Sequence, residues 1–314
     1  MILSVSRRTD IPAFYSEWFL NRLKEQYVLV RNPMNYHQVS SVSLKPDVVD
    51  FIVFWTKNAS PLIPYISDIA VKYPFYFQYT LNAYEKDVEP GLATLNQRIE
   101  VFRNLSFLTG KERATWRYDP VLLTEKYNVS WHVKMFKKIA TLLNGYTERC
   151  VFSFIDLYDK VMSNTSGLGI RSCNREEMNA LAETFSEIAK ENGMVLQTCA
   201  EEINLSAYQI QRGHCIDAEL VSRIGGFTFD AKKDKNQREA CGCIESIDIG
   251  QYNTCRHGCR YCYANFNPKM VAALSSKHDP SSPLLIGNLE PEDKVTERKM
   301  KSLKNGTYWQ MSFF

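Results

Sequence analysis

The chain has 314 residues, 45% of them hydrophobic and 23% charged, a balance that excludes a disordered or fibrous protein and allows one large α/β domain or two ordinary ones. A formal charge of +3 from 38 basic and 35 acidic residues is too mild for the whole-chain field to imply a nucleic-acid partner. Apolar runs such as "FIVFW" at 51–55 fall far short of the roughly 18 to 20 residues that span a bilayer. The opening "MILSVSRRTD" is apolar for too short a distance to read as a secretory signal, so a cytoplasmic location with no membrane partner is expected.

In chain order, the sequence predicts buried strands at "ILSVS" from Ile2, "VDFIVFW" from Val49, "FYFQYTL" from Phe75, "ATWRYD" from Ala114, "VFSFID" from Val151 and "MVLQTC" from Met194. Each is rich in β-branched or aromatic residues, and most are apolar on both alternating faces, as parallel strands covered on both sides should be. Between them, apolar residues at helical spacing predict helices over 15–27, 61–72, 92–108, 130–143 and 175–192. The last is the clearest, with Asn174 as N-cap, acidic residues in its first turn and Gly193 just past its end.

Strict alternation of this kind points to an α/β fold with a parallel sheet and right-handed crossovers. The expected form is a TIM-like (β/α) barrel or partial barrel over residues 1–224. From residue 225 to 314 the chain turns polar, cationic and cysteine-bearing, and this Cys-rich section is expected to complete the barrel.

Loops that follow the strands build the active site in such folds, and here they are unusually polar. The first supplies Arg7, Arg8 and Asp10, the second Lys57, and the fourth Arg117 and Asp119 in "WRYDP". We take Arg117, Asp119 and Lys57 as candidate catalytic residues, and Arg7, Arg8 and Asp10 as candidate cofactor-binding residues. Each has a plainer reading as well: the arginines and Lys57 as solvated loop charges, and Asp10 and Asp119 as turn formers, Asp119 preceding Pro120.

Nine cysteines in a reducing compartment need an explanation other than a disulfide framework. Five of them, Cys241, Cys243, Cys255, Cys259 and Cys262, fall within 22 residues, which suggests a metal. In "CRHGCRYCYAN", Cys255, Cys259 and Cys262 are spaced CxxxCxxC. Three thiolates from one short loop suit three corners of a four-iron cluster, leaving one iron without a protein ligand. Cys241 and Cys243 form a CxC that, with Cys199 and Cys215, would supply four thiolates for a second metal cluster; the alternative is packed or redox-active thiols.

The CxxxCxxC stretch resembles the signature of radical S-adenosylmethionine enzymes, and the run through Ala264 and Asn265 looks especially like the cluster loop of the spore-photoproduct-lyase-like branch. The resemblance implies a 4Fe-4S cluster held by the three cysteines, with S-adenosylmethionine chelated to the open iron. Reductive cleavage would then give a 5′-deoxyadenosyl radical acting on an unknown small-molecule or macromolecular substrate. It also implies an electron donor such as a ferredoxin or flavodoxin, and Tyr261 and Tyr263 packing the cluster or the adenine. In that superfamily the cluster loop follows the first strand, whereas here it comes after about six strand and helix units. Either the barrel is circularly permuted, with "SIDIGQY" from Ser246 as the strand feeding the loop, or the motif belongs to an appended domain. A helix capped by Asn267, with Pro268 at its first position, favours permutation. The whole chain also resembles a bacterial family of unknown function, on "SVSRRTDIPAFY" and "CGCIESIDIGQYNTCRHGCRYCYAN".

A competing reading is a structural or electron-transfer metal-cluster protein without cofactor cleavage. It could grip nucleic acid through Lys232, Lys233, Lys235, Arg238, Arg256 and Arg260.

Overall fold

In the computed structural model, which describes residues 1–307, eight strands form one parallel sheet. They are β1 (Ile2–Val5), β2 (Phe51–Thr56), β3 (Phe75–Thr80), β4 (Ala114–Val121), β5 (Arg149–Phe154), β6 (Val195–Cys199), β7 (Gln211–Gly213) and β8 (Ile247–Asp248). The spatial order is β8-β1-β2-β3-β4-β5-β6-β7, and every neighbouring pair runs parallel.

Alternation along the strands sends side chains to two apolar layers. Leu3, Ile52, Phe54, Phe75 and Phe77 face one large core with the helices, and Phe54 stacks on Phe77 with ring centroids 4.7 Å apart. Ile2, Phe51, Val53 and Tyr76 face the other side, against Ile216, Leu220, Val221 and Ile244. Burial on both faces explains why these strands read as continuous apolar runs, with each large side chain worth roughly 1.5–3 kcal/mol.

The long crossover helices start where their caps dictate. Thr94 and Gln97 form a reciprocal capping box at Leu95–Thr109, Asn174 and Glu177 another at Arg175–Glu191, and Asn128 accepts from the Trp131 amide at Val129–Leu143. The helix expected over 61–72 is instead a 3₁₀ turn, Ile63–Tyr65, and a short helix, Ile66–Ala70, since Pro64 cannot donate within a continuing helix. The helix expected over 15–27 ends at Glu25, with Gln26 left-handed. An unforeseen antiparallel ribbon follows, Tyr27–Asn32 with Asn35–Ser43, extended by Lys294–Glu297. Its outer residues are exposed and polar, so no apolar alternation marked it.

The late segment "SIDIGQY" contributes only β8, but β8 pairs with the first strand, Leu3 opposite Ile247 and Ser4 opposite Asp248. Asn267 caps the following helix, Pro268–Ser275, accepting from the Lys269 and Met270 amides. The strand ladder is open, with β7 and β8 at its two ends. Between those ends the flanking loops touch, the Ile244 amide donating to the Ile216 carbonyl at 3.2 Å. Among the described residues no helix is long and apolar enough to cross a membrane.

Candidate metal and cofactor site

A cavity of about 550 Å³ opens at the carboxyl ends of the strands. Residues that follow β1 (Ser6 to Asp10), end β2 (Thr56 and Lys57), end β4 (Arg117 and Asp119) and end β6 (Cys199) all line it. So do Cys255, Cys259, Tyr261, Cys262 and Tyr263, carried there by the loop leaving β8. Every site residue expected from the sequence therefore borders one space, as parallel-strand topology favours.

Asp10 ties the first two strand ends to the cysteine loop. Its Oδ1 accepts from the Ala13 amide at 3.0 Å and Thr56 Oγ1 at 2.7 Å, and its Oδ2 from the Lys57 amide at 2.7 Å. His257, between the first two cysteines of the loop, meets the same Oδ2 through Nε2 at 2.8 Å. A carboxylate only accepts, so Nε2 carries the proton. His257 Nδ1 is then left buried with no partner. With its acceptors filled by the protein, Asp10 acts as a positioning residue at the cavity wall.

The cysteine loop is docked along its length. The Gly91 amide donates to the His257 carbonyl at 2.9 Å and the Arg260 amide to the Val88 carbonyl at 2.9 Å. Asn265 Nδ2 donates to the Cys255 carbonyl at 2.7 Å, and Tyr15 OH to the Thr254 carbonyl at 2.6 Å. A left-handed turn at Gly258, φ +68°, is glycine's to make at no steric cost. Burial pushes all three thiols up, Cys259 to about 12. A metal that binds there must displace the thiol protons.

Beside the loop lies a buried charge network. Lys57 Nζ is 2.9 Å from Glu89 Oε1 and 2.7 Å from Tyr261 OH, Arg98 Nη1 is 3.2 Å from Glu89 Oε2, and Tyr261 OH also donates to Glu89. Burial alone would neutralise Glu89, but Lys57 and Arg98 outweigh it and hold the carboxyl below its ordinary value. Burial likewise pulls Lys57 down, and Glu89 and Cys259 more than offset it. Lys57 thus sits charged beside the cysteine loop.

Arg7 and Arg117, which also line the cavity, lie over the Trp55 ring, 5.2 and 5.4 Å from its centroid. Arg117 Nε is 3.1 Å from Asp119 Oδ2, and Asp119 also accepts from Ser153. Burial raises Asp119, but Arg117 and Ser153 prevail and the carboxyl lies below its ordinary range. Arg8 reaches toward Asp248 at 4.0 Å and over the Tyr252 ring, bracing β8 against the first strand's loop. Tyr263 OH donates to the Arg7 carbonyl at 2.7 Å.

Cys199, Cys215, Cys241 and Cys243 also converge on this cavity, although nothing in their spacing required it. Cys150 and Cys173 are buried in the main core instead. Glu89, Trp55, His257 and Ser153 were not singled out as site residues from sequence. The weak cue for His257 was its place inside the cysteine motif, while Glu89 lies in a loop without apolar periodicity.

The cavity could hold a group with a soft thiolate anchor at one end and polar or anionic atoms elsewhere. Arg7 Nη2, Thr9 Oγ1 and His257 Nδ1 belong to lining residues and are buried without a hydrogen-bond partner, so unused donors and acceptors remain beside the thiols. No curated protein matches the chain. Residues 2–264, a span containing all nine cysteines, match a family model, and the chain belongs to the family described as Domain of unknown function (DUF1848).

Proposed function

We propose that the protein is a radical S-adenosylmethionine enzyme. In this reading Cys255, Cys259 and Cys262 hold a 4Fe-4S cluster, and the barrel is permuted so that the strand feeding the cluster loop comes last in sequence. The observation that carries it is that three thiols from one CxxxCxxC loop border an open cavity at the strand ends, together with unused buried polar atoms. The adjacency of β8 to β1 supports the permutation, because it sets strand, cysteine loop and helix beside the first strand in the order such a barrel needs.

When bound, the cluster and its cofactor would supply one electron to split a sulfur–carbon bond and leave a carbon radical that takes a hydrogen atom from the substrate. The chain's own residues do the rest. Asp10 and His257 fix the cysteine loop against the first two strands. Lys57 places a buried positive charge beside Cys259, which favours an anionic cluster or a cofactor carboxylate. Trp55, Arg7 and Arg117 offer an aromatic face and cations in the cavity lining, and Asp119, held ionised by Arg117, is a fixed acceptor for a substrate hydroxyl or amine.

The test is anaerobic reconstitution with iron and sulfide, followed by dithionite and S-adenosylmethionine, with 5′-deoxyadenosine measured by chromatography. Its formation by the native protein and loss in Cys259→Ala supports the reading. A reconstituted cluster that yields none of it points to electron transfer or a structural role, and failure to take up iron at all overturns the cluster itself.

A further inference from the structure

Four thiols outside the CxxxCxxC loop line the same cavity. Cys199 ends β6, Cys215 lies two residues past β7, and Cys241 and Cys243 precede β8. Cys199 Sγ is 3.0 Å from Cys215 Sγ. Cys243 in turn lies within electrostatic range of Cys215 and of Cys241. Three of the four are buried and Cys199 is partly so, yet all border the cavity.

Their surroundings are built for anionic sulfur. Arg117 Nη1 donates to Cys215 Sγ at 2.8 Å, and the Ile216 amide donates to Cys243 Sγ at 3.4 Å. Arg7 lies close enough to feel both Cys243 and Cys215. Its Nη2 is buried without a partner, and its carboxylate, Asp234, is 3.8 Å away. Arg117 already has Asp119, but Arg7 is incompletely compensated, and four thiolates around a divalent ion or an iron–sulfur cluster carry net negative charge that both guanidiniums would face.

The backbone around the thiols is equally constrained. Tyr76 OH and Gln78 Nε2 both donate to the Cys215 carbonyl, at 2.6 and 2.9 Å. A Cβ on Gly242, between the two cysteines of the CxC, would lie 2.3 Å from the His214 ring. This is also where the strand ladder stays open, and the Ile244 to Ile216 hydrogen bond joins the loops from its two ends.

We propose that Cys199, Cys215, Cys241 and Cys243 form a second metal centre, a four-thiolate site that ties together the two open ends of the sheet. Of the four, only Cys199 and Cys215 are in sulfur–sulfur contact as they stand, and metal uptake would draw all four thiolates in around the ion or cluster. The proposal stands whether or not the first cluster cleaves S-adenosylmethionine.

The test removes the first site so that remaining metal has one source. The variant Cys255→Ala/Cys259→Ala/Cys262→Ala, purified anaerobically, is analysed for zinc and iron, then stripped and titrated with cobalt(II). Retained zinc, or cobalt(II) bands of tetrahedral thiolate coordination, identifies a mononuclear centre. Retained iron with sulfide identifies a cluster. Either result supports the proposal when adding Cys241→Ser/Cys243→Ser abolishes it. Because that variant could misfold, thiol counting on the parent provides a second readout: a metal centre leaves four fewer thiols reactive to a chromogenic disulfide, and chelator restores them. Absence of metal and cobalt bands, with those thiols reactive from the start or joined in a Cys199–Cys215 disulfide, overturns it.

Discussion

His257 Nε2 and Asp10 Oδ2 lie 2.8 Å apart although 247 residues separate them in sequence. This contact joins the loop after the first strand to the middle of the cysteine motif, and Asp10 also holds the Lys57 amide and the Thr56 hydroxyl. A double-mutant cycle with Asp10→Ala and His257→Ala is expected to give a coupling of about 1–3 kcal/mol in urea unfolding. Both single variants should also lose iron faster than the native protein after reconstitution. Additive losses would show that the contact is incidental.

Gly91 faces a backbone rather than a side chain. A Cβ there would lie 2.4 Å from the His257 carbonyl oxygen, and that carbonyl is the acceptor for the Gly91 amide. Gly91→Ala must therefore push the cysteine loop away, at a cost of about 1–3 kcal/mol, seen as a lower thermal midpoint and reduced cluster occupancy. Gly145→Ala is a useful contrast: its Cβ would meet nothing within 4 Å, although its φ of +82° adds its own strain. Only the Gly91 variant should alter iron content.

Glu89 is the shared counter-ion of Lys57 and Arg98. Glu89→Gln leaves two buried cations without a full partner and is expected to cost about 3–5 kcal/mol. Adding Lys57→Met to that background should recover part of the loss, measured by denaturant unfolding. Failure of any recovery would mean that the three groups do not act as one network.

His132, which does not line the cavity, gives the fold an acid sensitivity of its own. It is fully buried in Val129–Leu143, with Nδ1 2.8 Å from Tyr118 OH and Nε2 2.8 Å from the Leu122 carbonyl. Burial lowers it to about 4 from an ordinary 6.5. Between those values the unfolded chain binds a proton that the folded chain refuses, so stability falls as pH drops from 6.5 toward 4. The loss attributable to this group amounts to about 3 kcal/mol at most. His132→Gln should be less stable at neutral pH but lose less on acidification across that window.

Much of this was legible in sequence because the signals were local. Strands such as Phe51–Thr56, apolar on both faces, and caps such as Asn174 announce themselves within a few residues. The strand-end residues Arg7, Lys57, Arg117 and Asp119 could be located at the cavity for the same reason. What escaped depends on distant partners. Nothing near Asp10 indicated that its carboxylate would be consumed by His257 and Lys57, and nothing near Glu89 identified its two cations. The grouping of Cys199 and Cys215 with Cys241 and Cys243 could be put forward from thiol number alone, whereas their shared place at the cavity follows from how the ends of the sheet approach each other, which no short window contains.

The position of Ile247–Asp248 beside Ile2–Val5 also governs when the molecule can mature. During synthesis every other strand of the sheet leaves the ribosome before Cys255 does. The nascent chain must wait, one edge unclaimed, until its latest segment returns to its earliest. Any cluster held by the CxxxCxxC loop could thus enter a finished pocket only after that last strand has docked, which would make its assembly machinery a client of the folded sheet.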